Sequence, residues 1–210
     1  MYNFTESEKE QNKIIDQYYK FQSKIYDLTR WSFLFGRKEI IRKLPELNNP
    51  VVVEIGCGTG YNLKNLIRKY PDGTFYGIDL SPDMIKQAQK NLSEHQNKVT
   101  LLQKPYSGGH TLFDSPVNLI LFSYSLTMIN PQWKELIDQA MVDLKQGGII
   151  AVTDFHDSRN DWFKSHMSHH HVRMDGHLLD YLHRCSQTLD ENVGSAYFGI
   201  WNYFWYIGKK

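Results

Sequence analysis

Glu54, Gly56, Gly58 and Gly60 occupy alternate positions in Val51-Val52-Val53-Glu54-Ile55-Gly56-Cys57-Gly58-Thr59-Gly60, and Asp79 follows 19 residues after the last glycine. Glycine tolerates positive φ and, lacking Cβ, lets a ligand approach the main chain. A helix opening directly off such a loop adds free N–H groups and a partial positive charge. Phosphate is the usual guest at such a helix start, but the surrounding residues argue against it. The phosphate-cradling G-x-x-x-x-G-K-[ST] pattern is excluded, because no Lys-Ser or Lys-Thr follows Gly60. A dinucleotide loop would read G-x-G-x-x-G, whereas this one reads Glu-x-Gly-x-Gly-x-Gly. An acid two residues ahead of the first glycine suits a ligand carrying an ammonium or sulfonium better than a pyrophosphate. Asp79, at the end of a strand, is placed to accept two hydrogen bonds from a ribose diol.

These residues need a sheet to hold them. Val51 to Ile55 reads as a buried strand, and Tyr61 to Tyr70 as the helix after the loop. Thr74 to Leu80 is the second strand, and Ser81-Pro82-Asp83 a helix start with N-cap, proline and acid in order. Val99 to Gln103, Val117 to Phe122 and Ile149 to Asp154 read as further strands. Between the last two, Trp133, Leu136, Ile137, Ala140, Met141 and Leu144 mark one face of a helix, which Gly147-Gly148 should end. Strand and helix alternate through 51–157, which makes the class α/β with a parallel sheet. Asp161 to Cys185 reads as helical in parts with a break near Gly176, and Val193 to Ile207 as two strands with a turn near Gly199. With no helix between those two strands, one must run antiparallel. Ligands of such sheets bind beyond the carboxyl ends of the strands. That rule gathers the glycine loop, Asp79, Gln103–Tyr106, Ser123-Tyr124 and His156-Asp157 on one rim.

The chain ahead of the first strand divides in two. Thr5 and Glu8 match a capping box, and Ile14, Ile15, Tyr18, Phe21, Ile25 and Leu28 recur at helical spacing. Tyr19 and Tyr26 share a neighbouring stripe. An aromatic knot, Trp31 to Phe35, then precedes a short basic helix, Arg37 to Leu44. The expected organisation is an N-terminal helical lid segment, 1–48, and a ligand-binding domain, 49–210.

A chain of 210 residues with 41% hydrophobic and 22% charged residues falls among globular proteins with a sizeable core. A net charge of +1 leaves no basic excess for general nucleic-acid binding. Two cysteines, Cys57 and Cys185, fit neither a disulfide framework nor a metal site, and a reducing cytoplasm is the expected compartment. Met1 to Lys13 is polar, unlike a signal peptide. The most apolar window, Val117 to Ile129, carries Asn118, Ser123, Ser125 and Thr127 and is too short to span a membrane. The histidines at 166, 169, 170, 171, 177 and 183 lack ligand spacing, so no metal is expected.

Acid, glycine loop and ribose acid together resemble the S-adenosylmethionine site of class I methyltransferases. The resemblance implies a Rossmann-like, seven-stranded, mostly parallel sheet with one antiparallel closing strand and an N-terminal helical lid. It places Gly56, Gly58 and Gly60 along the methionine portion, with Glu54 organising the loop. Asp79 and Leu80 fall at the ribose, Met84 against the adenine, Ser123 on the rim, and Tyr19 and Tyr26 over the cofactor. An acid often ends strand three in such enzymes; Gln103, Lys104 and Pro105 stand here instead.

Longer strings go further. Ile25-Tyr26-Asp27-Leu28-Thr29-Arg30-Trp31-Ser32-Phe33-Leu34-Phe35-Gly36-Arg37, Leu121 to Met128, Asp154-Phe155-His156-Asp157-Ser158, His171 to Leu179 and Trp201-x-Tyr203-Phe204-x-x-Ile207-Gly208 resemble the diacylglycerylhomoserine N-methyltransferases of betaine-lipid synthesis. The likeness runs from about Tyr18, with an insertion at Ser115-Pro116 and a histidine at 170 in place of an asparagine. It implies up to three methyl transfers to the amine of a lipid-linked homoserine. It also implies a functional pairing with an aminocarboxypropyl transferase. Trp31 to Phe35 and the aromatic tail suit peripheral contact of a cytoplasmic protein at the inner membrane face. A neutral amine needs a proton acceptor, and histidine titrates nearest neutrality of the side chains. His156 is therefore the candidate base, and Tyr124 the residue that orients the amine or cofactor. Trp31, Tyr106, Tyr124 and Trp201 are candidate cage residues for a methylated ammonium. Arg30 or Arg173 is placed to take the substrate carboxylate, and Asp157 completes the substrate set. The alternative acceptor is another small molecule, such as a quinone, a small amine or an acid.

Overall fold

A computed structural model of the chain describes residues 34–106, 113, 115–129, 131–169 and 172–210. The expected leading helix, with Tyr19, Tyr26, Arg30 and Trp31, lies outside the described residues. The elements in order are α1 (Arg37–Lys43), β1 (Val51–Ile55), α2 (Tyr61–Lys69), β2 (Thr74–Asp79), α3 (Pro82–Asn91), β3 (Val99–Gln103), β4 (Val117–Ser123), α4 (Trp133–Asp143), β5 (Leu144–Phe155), α5 (Asp161–His169), α6 (His177–Cys185), β6 (Gln187–Ala196) and β7 (Trp201–Lys209). Short 3₁₀ turns cover Ser93–His95, Leu126–Met128 and Tyr197–Gly199.

The strands form one sheet in the order β3-β2-β1-β4-β5-β7-β6. Neighbours from β3 to β5 pair in parallel, and β7 alone runs against both β5 and β6. The expected seven-stranded sheet with one antiparallel closing strand is present. Strand order reverses between β1 and β4, the position at which such sheets open a crevice for ligands.

Alternation along each strand sorts the core into two layers. Val52, Leu119, Leu121, Ile149, Ala151, Trp205 and Ile207 meet α1, α2 and α3 through Ile40, Ile41, Leu63, Leu66, Ile85 and Ala88. Their neighbours Val53, Ile120, Phe122, Ile150, Val152, Phe204 and Tyr206 meet α4 and α6 through Leu136, Ile137, Ala140, Leu178 and Leu182. Strands covered on both faces read as continuous apolar runs, as β4 does. A third cluster, including Tyr124, Phe155, Phe163, Met174 and Trp201, closes the carboxyl end of β5.

Two boundaries differ from the sequence reading. Helix α4 stops at Asp143, before the glycine pair, because Leu144 is already extended and pairs with Val117 of β4. Gly147 and Gly148 instead lie inside β5, where the register shifts between Val117 and Leu119; Gly147 takes φ 75 and donates its N–H to the Lys210 carbonyl. Strand β6 begins at Gln187, six residues before Val193, because its partner β7 supplies ladder positions down to Lys209.

Candidate active site

β1 ends at the switch point, with Glu54 level with Gly77 of β2 and Leu121 of β4. Beyond it the chain turns tightly. The N–H groups of Gly56 and Cys57 both donate to the Ile78 carbonyl, at 2.8 and 3.0 Å, and the Gly60 N–H donates to the Cys57 carbonyl. Gly56 has φ 73, and a Cβ there would stand 2.8 Å from the Ser125 Cβ. Gly60, at φ 77, caps α2 and packs so closely on Leu92 that a side chain would collide. The loop is therefore glycine-rich for packing as well as for ligand access.

Asp79 locks this loop from behind. One carboxylate oxygen accepts the Gly58 N–H at 2.8 Å, and the other accepts the Ser81 N–H at 2.9 Å. The Ser81 hydroxyl in turn accepts the Met84 N–H and caps α3, leaving Met84 buried. Leu80, half-buried, links Asp79 to that cap. Glu54 is 1% exposed and accepts a 2.7 Å hydrogen bond from the Asn62 side-chain amide, one residue into α2. Burial, reinforced by the charges of Glu54 and Asp79, pushes the Cys57 thiol well above its ordinary range, so it stays a neutral packing group.

The crevice is a cavity of about 460 Å³. One wall is the loop with its helix: Glu54, Gly56, Cys57, Gly58, Thr59, Tyr61 and Asn62. The facing wall is Leu34 to Glu39, and Ser123 at the end of β4 completes the lining. Arg37 lies over the Tyr61 ring, 4.6 Å from its centroid, so a cation and an aromatic meet at the mouth. The Ser123 hydroxyl and the Asn62 side-chain oxygen are buried, with no hydrogen-bond partner among the described residues. Buried polar atoms of this kind are costly unless a ligand or water meets them. A buried acid, the bare main chain of Gly56 and Gly58, and two unmet polar oxygens fit the amino-acid end of S-adenosylmethionine.

Other sequence-predicted residues do not line this cavity. Tyr124 takes φ 54, is buried, and donates its hydroxyl to the Phe35 carbonyl at 2.9 Å, tying the end of β4 to the facing wall. Burial raises its phenol well above the usual range. His156, just past β5, donates its main-chain N–H to the Asn202 carbonyl and accepts the Gly176 N–H; its Nδ1 is buried without a partner among the described residues. Asp157 accepts a 2.7 Å bond from the Asn202 side chain and pairs through the backbone with Asp175. Arg173 is held at 2.7 Å by Asp175, which also contacts His177. Trp201 is 1% exposed, stacked on Phe163 inside the aromatic cluster, and Tyr106 spends its hydroxyl on Asp143. Neither ring faces the cavity. Among the described residues no three His, Cys, Asp or Glu side chains gather as a metal site.

Four residues escaped the sequence reading. Asn62 is a polar residue on the inner side of an amphipathic helix, and that mismatch was its only signal. Arg37 and Lys38 read as the start of a basic helix rather than as a wall. Asp154 is wholly buried, and its carboxylate accepts bonds from the Thr127 hydroxyl at 2.5 Å and the N–H groups of Leu126, Thr127 and Phe155. It clamps the turn after β4 to the end of β5. Burial pushes its pKa up to about 6 against the lowering effect of those four donors.

Residues 52–148 match the family model described as a methyltransferase domain. Over 138 residues the chain is 25% identical to a trans-aconitate 2-methyltransferase of Rhodopseudomonas palustris (strain HaA2), covering 65% of this chain and 48% of that one. The chain spans about half the length of the curated relatives it matches. Among solved structures, a methyltransferase complexed with the Haloferax volcanii Trm112 methyltransferase activator superposes with a TM-score of 0.74 at 14% identity, over 92% of this chain and 96% of that one. The N-methyltransferase NodS of Bradyrhizobium japonicum, in complex with S-adenosyl-L-homocysteine, gives 0.66 at 16% identity, over 83% and 85%. Over residues 52–148, then, the chain is similar to a methyltransferase domain, and its fold is that of these solved methyltransferases.

Proposed function

We propose that the chain is an S-adenosylmethionine-dependent N-methyltransferase acting on the amine of a homoserine-type betaine-lipid headgroup, up to three times. One observation carries the reading. The cavity is bounded on one side by the glycine loop and on the other by Leu34 to Glu39, whose first four residues end the string that resembles diacylglycerylhomoserine N-methyltransferases. Donor and acceptor features thus face each other across one space.

S-adenosylmethionine, when bound, supplies a methyl group on a sulfonium. Glu54, held by Asn62, with the unmet Ser123 hydroxyl and Asn62 oxygen, would hold its amino-acid end beside the bare main chain of Gly56 and Gly58, and Asp79 its ribose. The chain's own task is then orientation, since in-line transfer needs the acceptor nitrogen held collinear with the methyl group. Tyr124 fixes the facing wall through Phe35, and Arg37 and Lys38 offer positive charge to a carboxylate beside the amine. His156, the base expected from the sequence, does not line the cavity and is given no part in the transfer.

The same two cations support a second reading, a small carboxylic acid as acceptor, in line with the trans-aconitate relative. Incubation with labelled S-adenosylmethionine and diacylglycerylhomoserine, followed by mass spectrometry, decides between them. The first reading requires mono-, di- and trimethylated headgroups. Methyl esters from small acids, with no lipid product, would establish the second.

A further inference from the structure

We propose that the rim running from the cavity mouth to the β6–β7 turn docks on an anionic lipid bilayer; this rests on the reading of a lipid headgroup as acceptor. Large apolar side chains are exposed along this rim. Tyr61 and Phe35 stand at the cavity mouth, Phe35 meets Tyr197 edge-on at 5.7 Å, and Phe198 and Ile200 follow in the turn. Tyr197 and Phe198 both take left-handed backbone angles, with φ 48 and 57. Bulky residues adopt that region at a cost in stability, and here the result is a Phe198 ring wholly in solvent. The turn is fastened rather than loose, since the Ser158 hydroxyl donates to the Ile200 carbonyl at 2.5 Å. Just beyond, α5 exposes Trp162.

Charge selects the occupant. Segments 34–39 and 159–164 carry four cations, Arg37, Lys38, Arg159 and Lys164, against Glu39 and Asp161. Among the described residues Lys38 and Arg159 enter no ion pair. Aromatics mixed with cations suit the headgroup layer of an anionic membrane, where each part finds its own medium. A second copy of this rim would set like charges against each other. With the mouth inside the rim, a headgroup could reach the cavity while its acyl chains stayed in the bilayer.

The test is flotation of the full chain with vesicles of phosphatidylcholine, alone or mixed with phosphatidylglycerol. Binding should favour the anionic vesicles and fall with added salt. Phe198→Asn keeps a residue that tolerates the left-handed angles and should weaken binding about tenfold or more. Val142→Ser, at an exposed position at the opposite end of the sheet, should leave binding unchanged, and circular dichroism verifies that both variants fold. Absence of vesicle binding, indifference to Phe198→Asn, or a dimer that this variant turns into monomers would each overturn the proposal. Methyl transfer in detergent micelles separates the two readings. Lipid products without docking remove the surface, and docking without lipid products removes the acceptor.

Discussion

Replacing Asp154 with asparagine should remove a pH dependence from the stability of the fold. The carboxylate is wholly buried and titrates near 6 in place of 3.8, because desolvation outweighs four donated hydrogen bonds. Between pH 4 and 6 the native chain holds a proton that the unfolded chain has released. The contribution is therefore complete below pH 4 and is lost as pH rises through 6. A rise from 3.8 to about 6, at ~1.4 kcal/mol per pH unit, corresponds to about 3 kcal/mol. Asp138 and Asp175 have lowered pKa values and act with the opposite sign at more acidic pH, so the difference between wild type and variant is the quantity to follow. Urea unfolding at pH 4, 5.5 and 7 would measure it. The stability advantage of wild type over Asp154→Asn should shrink by about 3 kcal/mol from pH 4 to pH 7. A constant difference would refute the assignment of a raised pKa. Thr127→Val removes the shortest donor and should move the transition to higher pH.

Asp79→Ala removes the acceptor of the Gly58 and Ser81 amides and should weaken S-adenosylmethionine binding by roughly tenfold or more, read by calorimetry; unchanged affinity would sink its role. Asn62→Leu leaves the Glu54 carboxylate without that amide donor, and both cofactor affinity and unfolding free energy should drop, the latter by about 1.5–3 kcal/mol. Gly56→Ala places a methyl group against Ser125 at a left-handed position. It should cost about 1–3 kcal/mol and lower Tm by roughly 2–10 °C in a thermal scan.

Much of this was readable in the residues because local and global signals agreed. Ser81-Pro82-Asp83 carries its own cap, the apolar steps of α4 point one way, and β4 and the body of β5 are apolar on both faces. Where the order of the sheet decides, the sequence was silent. β6 is Gln-Thr-Leu-Asp-Glu-Asn-Val-Gly-Ser-Ala, mostly exposed, and is a strand because β7 pairs with it rather than by its own composition. Gly147-Gly148 looked like a helix stop, but the ladder with β4 had already ended the helix. In the site, the loop and Asp79 could be found from spacing alone. Asn62 and Asp154 could not, because each acts on residues brought to it only by tertiary folding.

β7 lies between β5 and β6, so the sheet is completed by inserting a late strand rather than by adding one at an edge. During synthesis β6 has no ladder partner until residues 201–209 leave the ribosome, and until then β5 presents an open edge built from Ile149 to Phe155. The nascent chain thus carries the glycine loop and its helices early, but withholds the aromatic closure at Trp201 until β7 has emerged. A chaperone that shields bare strand edges would find its substrate in that interval.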